Sequence, residues 1–251
     1  MEYWAHSENK EQKKHPLSKH GPETADLAKS FACRDEFKAV FYVAGLLHDL
    51  GKYQPQFQRY LENGGKRGSV PHASWGAGYA RRNGLIDVSI PINGHHKGLS
   101  DNAVWKSNTE PFKRGEVEGL DDVVRAFLGD TGIDESIFKE GNSPMFPAEP
   151  LRREAFMRYL FSALTDSDWL STEKHFDKTA FRVRTSPKLP VDEMLGRLHD
   201  ELSIKPQEGE INRMRNGPVF RRFRKQICPA GFIPWPYRPV WGKLSRPWHG
   251  R

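Results

Sequence analysis

The sequence has little cysteine and no long run of apolar residues. The first argues against a disulfide-stabilised protein, and the second against a membrane-spanning protein. Cys33 and Cys228 are the two cysteines among 251 residues, too few for a disulfide framework and without zinc-finger spacing. No apolar stretch approaches the roughly 20 residues that cross a bilayer. Residues 1–20 are polar and of mixed charge, unlike a signal peptide. We therefore expect a cytoplasmic protein with no membrane partner.

Acidic residues are missing from the end of the chain. After Glu210 there are ten Lys and Arg and no Asp or Glu, whereas residues 1–210 contain 29 basic and 32 acidic residues. The formal charge of +7 therefore belongs to this end segment, and overall charge gives no argument for nucleic-acid binding by residues 1–210. We predict one large domain over 1–210 and a basic, Pro- and Trp-rich tail over 211–251.

Apolar periodicity predicts a mainly helical chain. Helices are predicted over residues 17–33, 35–50, 55–61, 121–128, 151–170 and 191–202. Residues 86–92 fit either a strand or a short buried helix. The segments 63–68 and 139–150 are rich in turn-forming residues and are predicted loops.

The most informative stretch runs from Gly45 to Lys52. Its apolar helix carries His48 and Asp49 into the core, where an imidazole and a carboxylate need a compensating partner. A divalent metal would serve, because these groups bind Zn, Fe, Mn, Co or Ni. Gly51 is expected to end the helix in the left-handed conformation, and Gly45 to admit a neighbouring element. Lys52 would place a positive charge, suited to a phosphate, beside the site.

Further histidines are candidates for the same site. Judged from its own segment alone, His20 fits a half-exposed surface residue better than an inward ligand. His72 begins a helix of small residues and fits a ligand and a surface residue equally well. His95 and His96 stand between glycines after an apolar run. They could bind one metal together, or one could bind the metal while the other contacts the substrate.

Two acids near the end of the predicted helix 151–170 compete for a role. Asp168 follows Leu160 and Leu164 on the apolar face, where a charge needs a partner, whereas Asp166 lies on the polar side. Asp168 is therefore the preferred ligand and Asp166 the second choice. Together these candidates make seven ligands, which suit two metals better than one tetrahedral site, with Asp49 as the bridge.

In this order, the candidate residues resemble the HD phosphohydrolase superfamily. More closely, the chain resembles the HD nuclease domain of the CRISPR-associated nuclease-helicase of type I interference (the Cas-three family). The resemblance covers roughly residues 1–215. It rests on Ala5-His6-Ser7, Leu17 with His20, Gly45 to Lys52, Pro71-His72-Ala73 with Gly76-Ala77, Gly94 to Leu99, and Phe161 to Glu173.

The resemblance implies an all-α HD-domain helical bundle around a two-metal site. The ligands of one metal would be His20, His48, Asp49 and Asp168. The ligands of the other would be Asp49, His72, His95 and His96. Asp49 and Lys52 would be the catalytic residues, with Lys52 beside the scissile phosphate. The metals would be divalent transition ions (Mn, Ni, Co or Fe, with Mg as an alternative).

The resemblance also implies an activity and partners. The chain would be a metal-dependent endonuclease acting on the single-stranded DNA that a CRISPR Cascade complex displaces. A helicase would act in cis, in a longer protein, or in trans. Two alternatives remain open: an HD-type phosphodiesterase or nucleotidase for small nucleotides, and a non-catalytic, metal-stabilised module that recruits a helicase or Cascade.

The tail gives a separate hypothesis. Residues 211–215 resemble the linker into such a helicase, but no GxxxxGK(S/T) loop follows. Residues 235–249 can be back-translated so that another reading frame encodes Val-Pro-Thr-Gly-Leu-Gly-Lys-Thr-Leu-Ser-Ser-Leu, a helicase-like phosphate loop. The tail would then be an out-of-frame end of a longer gene. The alternative is an evolved DNA-binding tail.

Overall fold

The structure is a computed structural model that describes residues 2–66, 68–141, 149–183, 190–204 and 208–209. The α-helices in this part of the chain are α1 (Leu17–Phe31), α2 (Lys38–Leu47), α3 (Pro55–Asn63), α4 (Ala73–Arg82), α5 (Ile86–Gly94), α6 (Asn102–Lys113), α7 (Leu120–Thr131), α8 (Ile137–Glu140), α9 (Pro150–Phe176), α10 (Lys178–Val183) and α11 (Val191–Ile204). Short 3₁₀ helices span Asp35–Phe37 and Leu50–Tyr53. The strands β1 (Trp4–His6) and β2 (His15–Pro16) pair in an antiparallel hairpin.

This architecture confirms the predicted all-α helical bundle and adds a hairpin that apolar periodicity did not predict. Residues 86–92, which fitted a strand or a buried helix, lie in helix α5. The predicted loop 139–150 is partly wrong, because Lys139 lies in α8 and Pro150 begins α9. Its residues 142–148 lie outside the described part of the chain. Helix α9 runs six residues beyond the predicted end at 170.

The second helix is shorter than predicted. Helix α2 ends at Leu47, and His48 and Asp49 form a turn before the following 3₁₀ helix. Gly51 lies inside that 3₁₀ helix and does not take the left-handed conformation expected of a helix cap. Space explains the glycine instead, since a Cβ at this position would lie 2.7 Å from the Cα of His72.

Helix α2 lies at the centre of the bundle. It contacts α1, α5 and α9, and its Phe41, Leu46 and Leu47 are fully buried. Such a helix is apolar on all sides because every face removes hydrophobic surface from water. Helix α1 approaches closely at Gly45, where a Cβ would lie 2.7 Å from the backbone nitrogen of Ala25. The packing therefore delivers the turn after α2 to the middle of the fold.

The chain divides into two compact units, Met1–Pro187 and Lys188–Arg251. The hairpin and helices α1 to α10 belong to the first unit, and α11 belongs to the second. The tail predicted over 211–251 lies outside the described residues, and the boundary at residue 210 stays a prediction. Among the described helices, none combines the length and the apolar character needed to cross a membrane.

Candidate metal centre

Four side chains form a buried cluster, called here the inner group. They are His20 from α1, His48 and Asp49 from the turn after α2, and Asp168 from α9. One ligand atom from each lies within 4.8 Å of the others. The Nε2 atom of His20 is 3.1 Å from Asp49 Oδ2 and 3.2 Å from Asp168 Oδ1. The Nε2 atom of His48 is 3.3 Å and 3.6 Å from the same two oxygens.

A second cluster, the outer group, uses the other side of Asp49. Its members are Asp49, His72, His95 and His96, again with ligand atoms within 4.8 Å of one another. The Nε2 atoms of His72 and His95 lie 3.4 Å and 3.8 Å from Asp49 Oδ1. The Nε2 atoms of His72 and His96 are 2.8 Å apart. Asp49 therefore presents Oδ2 to the inner group and Oδ1 to the outer group, which is the arrangement of a bridging carboxylate.

A hydrogen bond to a backbone carbonyl orients one histidine in each group. His48 Nδ1 bonds the carbonyl of Gly45 at 2.7 Å, and His95 Nδ1 bonds the carbonyl of Ile92 at 2.7 Å. Because Nδ1 must donate to a carbonyl oxygen, Nε2 is the atom turned toward the cluster. Metal-binding histidines are held in this way, with the second ring nitrogen donating to an oxygen.

The buried polar atoms of the two groups indicate whether a metal ion fits between them. Among the described residues, His20 Nε2, His48 Nε2, His95 Nε2 and Asp49 Oδ1 are buried without a hydrogen-bond partner, and Asp49 Oδ2 has the Lys52 ammonium 2.6 Å away. An unsatisfied buried polar group costs about 1–3 kcal/mol, so these atoms, which face one another, need a compensating ligand. Imidazole nitrogen and carboxylate oxygen suit divalent cations. These donors therefore fit divalent metal ions.

The shifted pKa values of His48 and Asp49 show that the inner group favours positive charge. Burial lowers the pKa of His48, but the Asp49 and Asp168 carboxylates outweigh burial and raise this pKa to about 10. Burial raises the pKa of Asp49, but His48 and Lys52 outweigh it and hold the pKa well below its usual range. The two carboxylates thus keep a proton on His48, and a bound metal would replace that proton.

The outer histidines behave in the opposite way. Burial lowers the pKa of His72 to about 3 and holds the pKa of His95 well below its usual range. The pKa of His96 is also lowered, mainly by burial. These three imidazoles are neutral at neutral pH, which is the form that binds a metal.

Lys52 lies inside the centre. Its Nζ atom is 2.6 Å from Asp49 Oδ2 and donates to the carbonyl of Ala5 at 3.2 Å. The side chain is buried, so the ammonium offsets part of the negative charge that Asp49 brings into the core. The structure thus places this lysine against the carboxylate that both groups share.

All seven candidate ligands lie in one of the two groups, but one expectation was wrong. His20, judged half-exposed from its own segment, is fully buried because the packing of α1 on α2 and α9 covers it. The argument from helix faces separates the two acids as expected. Asp168 joins the inner group with its side chain 14% exposed, while Asp166 is exposed.

Sequence reasoning missed a third cluster behind the inner group. The hairpin brings His6 Nδ1 to 3.2 Å from His15 Nδ1, and these two residues form a possible ligand group with His20. The other ring nitrogen of His20 bonds Ser171 Oγ at 3.0 Å. No period marks these positions, since they meet only when the hairpin folds back on α1 and α9.

Comparison with known proteins bears on the first half of the chain. Residues 17–125 match the family profile described as HD domain. No curated protein matches the sequence. The matched range contains six of the seven candidate ligands, and Asp168 lies beyond it. With the two buried His and Asp groups, this match supports an HD domain of the phosphohydrolase superfamily over residues 17–125, in a helical bundle whose His and Asp clusters suit divalent metal ions.

Proposed function

We propose that the protein is a metal-dependent endonuclease that hydrolyses phosphodiester bonds of single-stranded DNA in type I CRISPR interference. The observation that carries this proposal is the shared carboxylate. Asp49 faces the inner group with one oxygen and the outer group with the other. This arrangement suits two divalent transition metals side by side, and such pairs polarise a phosphodiester and activate water for attack.

The chain's own residues supply binding and charge around that centre. The outer group is the more accessible side, because His96 is exposed and none of the inner ligands is. A phosphodiester would therefore approach from the outer group. Lys52 would offset negative charge that grows on the phosphate oxygens during attack. For this it would exchange its contact with Asp49 for one with the substrate.

The choice of DNA as substrate depends on two segments that resemble the nuclease-helicase family, one inside the HD profile and one beyond it. The segment Phe161 to Glu173, which resembles the nuclease-helicase family, supplies Asp168 to the inner group. The run Gly94 to Leu99 supplies both histidines at the end of α5. Cascade and a helicase are proposed as partners on the same resemblance. The coding DNA tests the helicase in cis, which is excluded if the alternative frame of the tail does not continue into helicase motifs.

Cleavage of circular single-stranded DNA tests the proposed activity. Metal-stripped protein would be supplied with Mn, Ni, Co, Fe or Mg, and a circle is used because only an endonuclease can open it. We expect cleavage with a transition metal, and loss of cleavage in His48→Ala and Asp168→Ala. Asp166→Ala is the matched control, since it removes an exposed carboxylate two residues away on the same helix.

Other outcomes would favour the alternatives. An intact circle together with hydrolysis of cyclic or free nucleotides would indicate a small-nucleotide phosphodiesterase. Metal binding without turnover of either substrate would indicate a recruiting module. Equal loss of cleavage in Asp166→Ala and Asp168→Ala would contradict the ligand assignment on α9.

A further inference from the structure

A basic cleft lies outside the metal centre, in the Met1–Pro187 unit. The hairpin loop and the start of α1 form one wall, and the end of α9 with α10 forms the other. Its volume is about 420 Å³, and among the described residues Glu23 is the one acidic residue that lines it. The cationic side chains that line it are Lys13, Lys14, Lys19, Lys174, Lys178 and Arg182.

This concentration of charge is not a reflection of overall composition. Residues 1–210 contain 29 Lys and Arg against 32 Asp and Glu, so the rest of this region is acidic on balance. Six cations around one cleft thus form a local positive patch on a surface of the opposite sign. Clefts lined by charges of one sign concentrate ligands of the other sign.

Several contacts hold the walls of the cleft together. Lys178 Nζ on α10 is 3.1 Å from Glu11 in the hairpin loop, and Lys174 Nζ on α9 is 2.8 Å from Glu23 on α1. Asn9 Nδ2 donates to the carbonyl of His175 at 2.9 Å. These links cross from one wall to the other, so the cleft is formed before any ligand arrives.

Within the described residues, three of the six cations form no ion pair; Lys14 Nζ lies over the Trp4 ring, which leaves two available to an anion. Lys19 on α1 and Arg182 on α10 are both exposed. Within the described residues, neither lies within ion-pair distance of a carboxylate, whereas Lys13, Lys174 and Lys178 each do. One unpaired cation on each wall suits a ligand that carries negative charge along its length.

The floor of the cleft connects it with the metal centre. The rings of His15 and His175 stack with centroids 4.5 Å apart and planes 8° apart. His15 in turn contacts the inner-group ligand His20, with ring centroids 5.0 Å apart. The cleft is therefore separated from the inner group by a single layer of imidazole rings.

We propose that the basic cleft binds the phosphate backbone of single-stranded DNA on the inner-group side of the metal centre, while the scissile phosphate lies at the outer group. This inference rests on the proposed nuclease function. A strand carries one charge per nucleotide, which matches cations on two facing walls, and the cleft volume falls within the roughly 300–1,000 Å³ of ordinary ligand pockets. Lys19 and Arg182 hold phosphates by charge, so the cleft does not read sequence.

The test measures binding of a labelled thymidine oligonucleotide with cleavage-resistant phosphorothioate linkages, over a range of salt concentrations. The variant is Lys19→Gln with Arg182→Gln on the full chain. Each phosphate contact on a single strand contributes about 0.7 to the slope of log K against log[salt], so two lost contacts reduce the slope by about 1.4. We expect about a tenfold rise in Kd at moderate salt, and a similar rise in KM for circle cleavage.

Two control proteins make the result specific. Lys106→Gln with Lys113→Gln removes the same charge from exposed positions on α6 and should bind DNA as the wild type does. Lys19→Arg with Arg182→Lys keeps both charges and should also bind as the wild type does. Thermal unfolding of each protein checks that all are folded.

Each contrary result has a distinct meaning. A wild type that binds and cleaves DNA, with the same salt slope in the cleft variant, would overturn the cleft assignment and leave the nuclease proposal standing. Thymidine monophosphate that competes as well as the strand would also overturn it, since the cleft would then bind free nucleotides. A wild type that neither binds nor cleaves DNA would overturn both proposals.

Discussion

The inner and outer groups share Asp49 but are built in different ways. The inner ligands lie on or beside the core helices α1, α2 and α9, and His20 and His48 have no exposed surface. The outer histidines sit at helix ends, with His72 capping α4 and His95 and His96 following α5. A ligand within packed helices is held as rigidly as the core, whereas a helix end can open to solvent. The inner group is thus suited to holding a metal, and the outer group to meeting a substrate.

The two groups also differ in charge. The inner group combines two carboxylates with two histidines, and it raises the pKa of His48 to about 10. The outer group has one shared carboxylate and three histidines whose pKa values are all lowered, mainly by burial. The inner group therefore has more negative charge for a cation to balance than the outer group has. We expect its metal to bind more tightly and to stabilise the fold more than the outer metal does.

Replacing Asp49 should have the largest effect on metal content and on cleavage, because both groups use this carboxylate. Asp49→Asn keeps the shape but removes the charge that the two groups share. We expect metal content to fall from two ions to fewer than one per chain, and DNA cleavage to fall by more than about a thousandfold, or about 4 kcal/mol. Elemental analysis and circle cleavage measure these effects. A variant that retains two tightly bound metals would show that Asp49 is not the bridge.

A glycine lies at a close backbone contact next to each group, so substitutions at these glycines test the two groups separately. Gly45→Ala forces α1 away from α2 beneath the inner group, and Gly51→Ala pushes on His72 in the outer group. Each overlap involves backbone, so we expect a loss of about 3 kcal/mol in the free energy of unfolding, measured by urea denaturation. Gly129→Ala on α7, where a Cβ meets no atom within 4 Å, is the control and should be neutral or stabilising. Gly51→Ala alone should spare the inner metal.

His15, which lies behind the inner-group ligand His20, should make the free energy of unfolding depend on pH. Burial, helped by His20, lowers the pKa of His15 to about 3, whereas an unfolded histidine titrates near 6.5. Between these values the unfolded chain binds a proton that the folded chain does not. Neutral His15 therefore does not reduce the free energy of unfolding above about pH 6.5. Below that pH the free energy of unfolding falls, by about 2 kcal/mol at pH 5. Denaturation at several pH values should show a shallower dependence in His15→Asn, and an unchanged dependence would contradict the assignment.

The smallest effect should come from an exposed outer ligand. His96→Ala removes one of four outer ligands and should weaken binding of one metal by at least about tenfold, while the inner metal and the unfolding temperature stay near wild type. His20→Ala should instead weaken the other metal and lower the unfolding temperature. Calorimetric metal titration with thermal unfolding compares the two variants. Equal destabilisation by both would contradict the contrast between a rigid and an open group.

Local patterns predicted most of the helices and the ligand choice on α9. Leu160, Leu164 and Asp168 share one helix face, so simple geometry placed Asp168 inward and Asp166 outward. The same approach failed for His20, because one helix alone does not reveal which neighbours will cover it. It also failed at Gly51, whose role is to let His72 approach rather than to end a helix. That need arises from a contact between segments about 20 residues apart.

The sequence by itself determined the helical architecture and the types of side chain available to bind metals. Both depend on neighbours within a few residues, namely the 3.6-residue period and the adjacency of His48 and Asp49. Only the tertiary structure decided that Asp49 turns one oxygen to each group. The hairpin that places His6 and His15 behind His20, and the cleft between that hairpin and α10, likewise come only from the fold. These features join residues up to about 170 positions apart, and such contacts follow from packing of the whole bundle rather than from any local pattern.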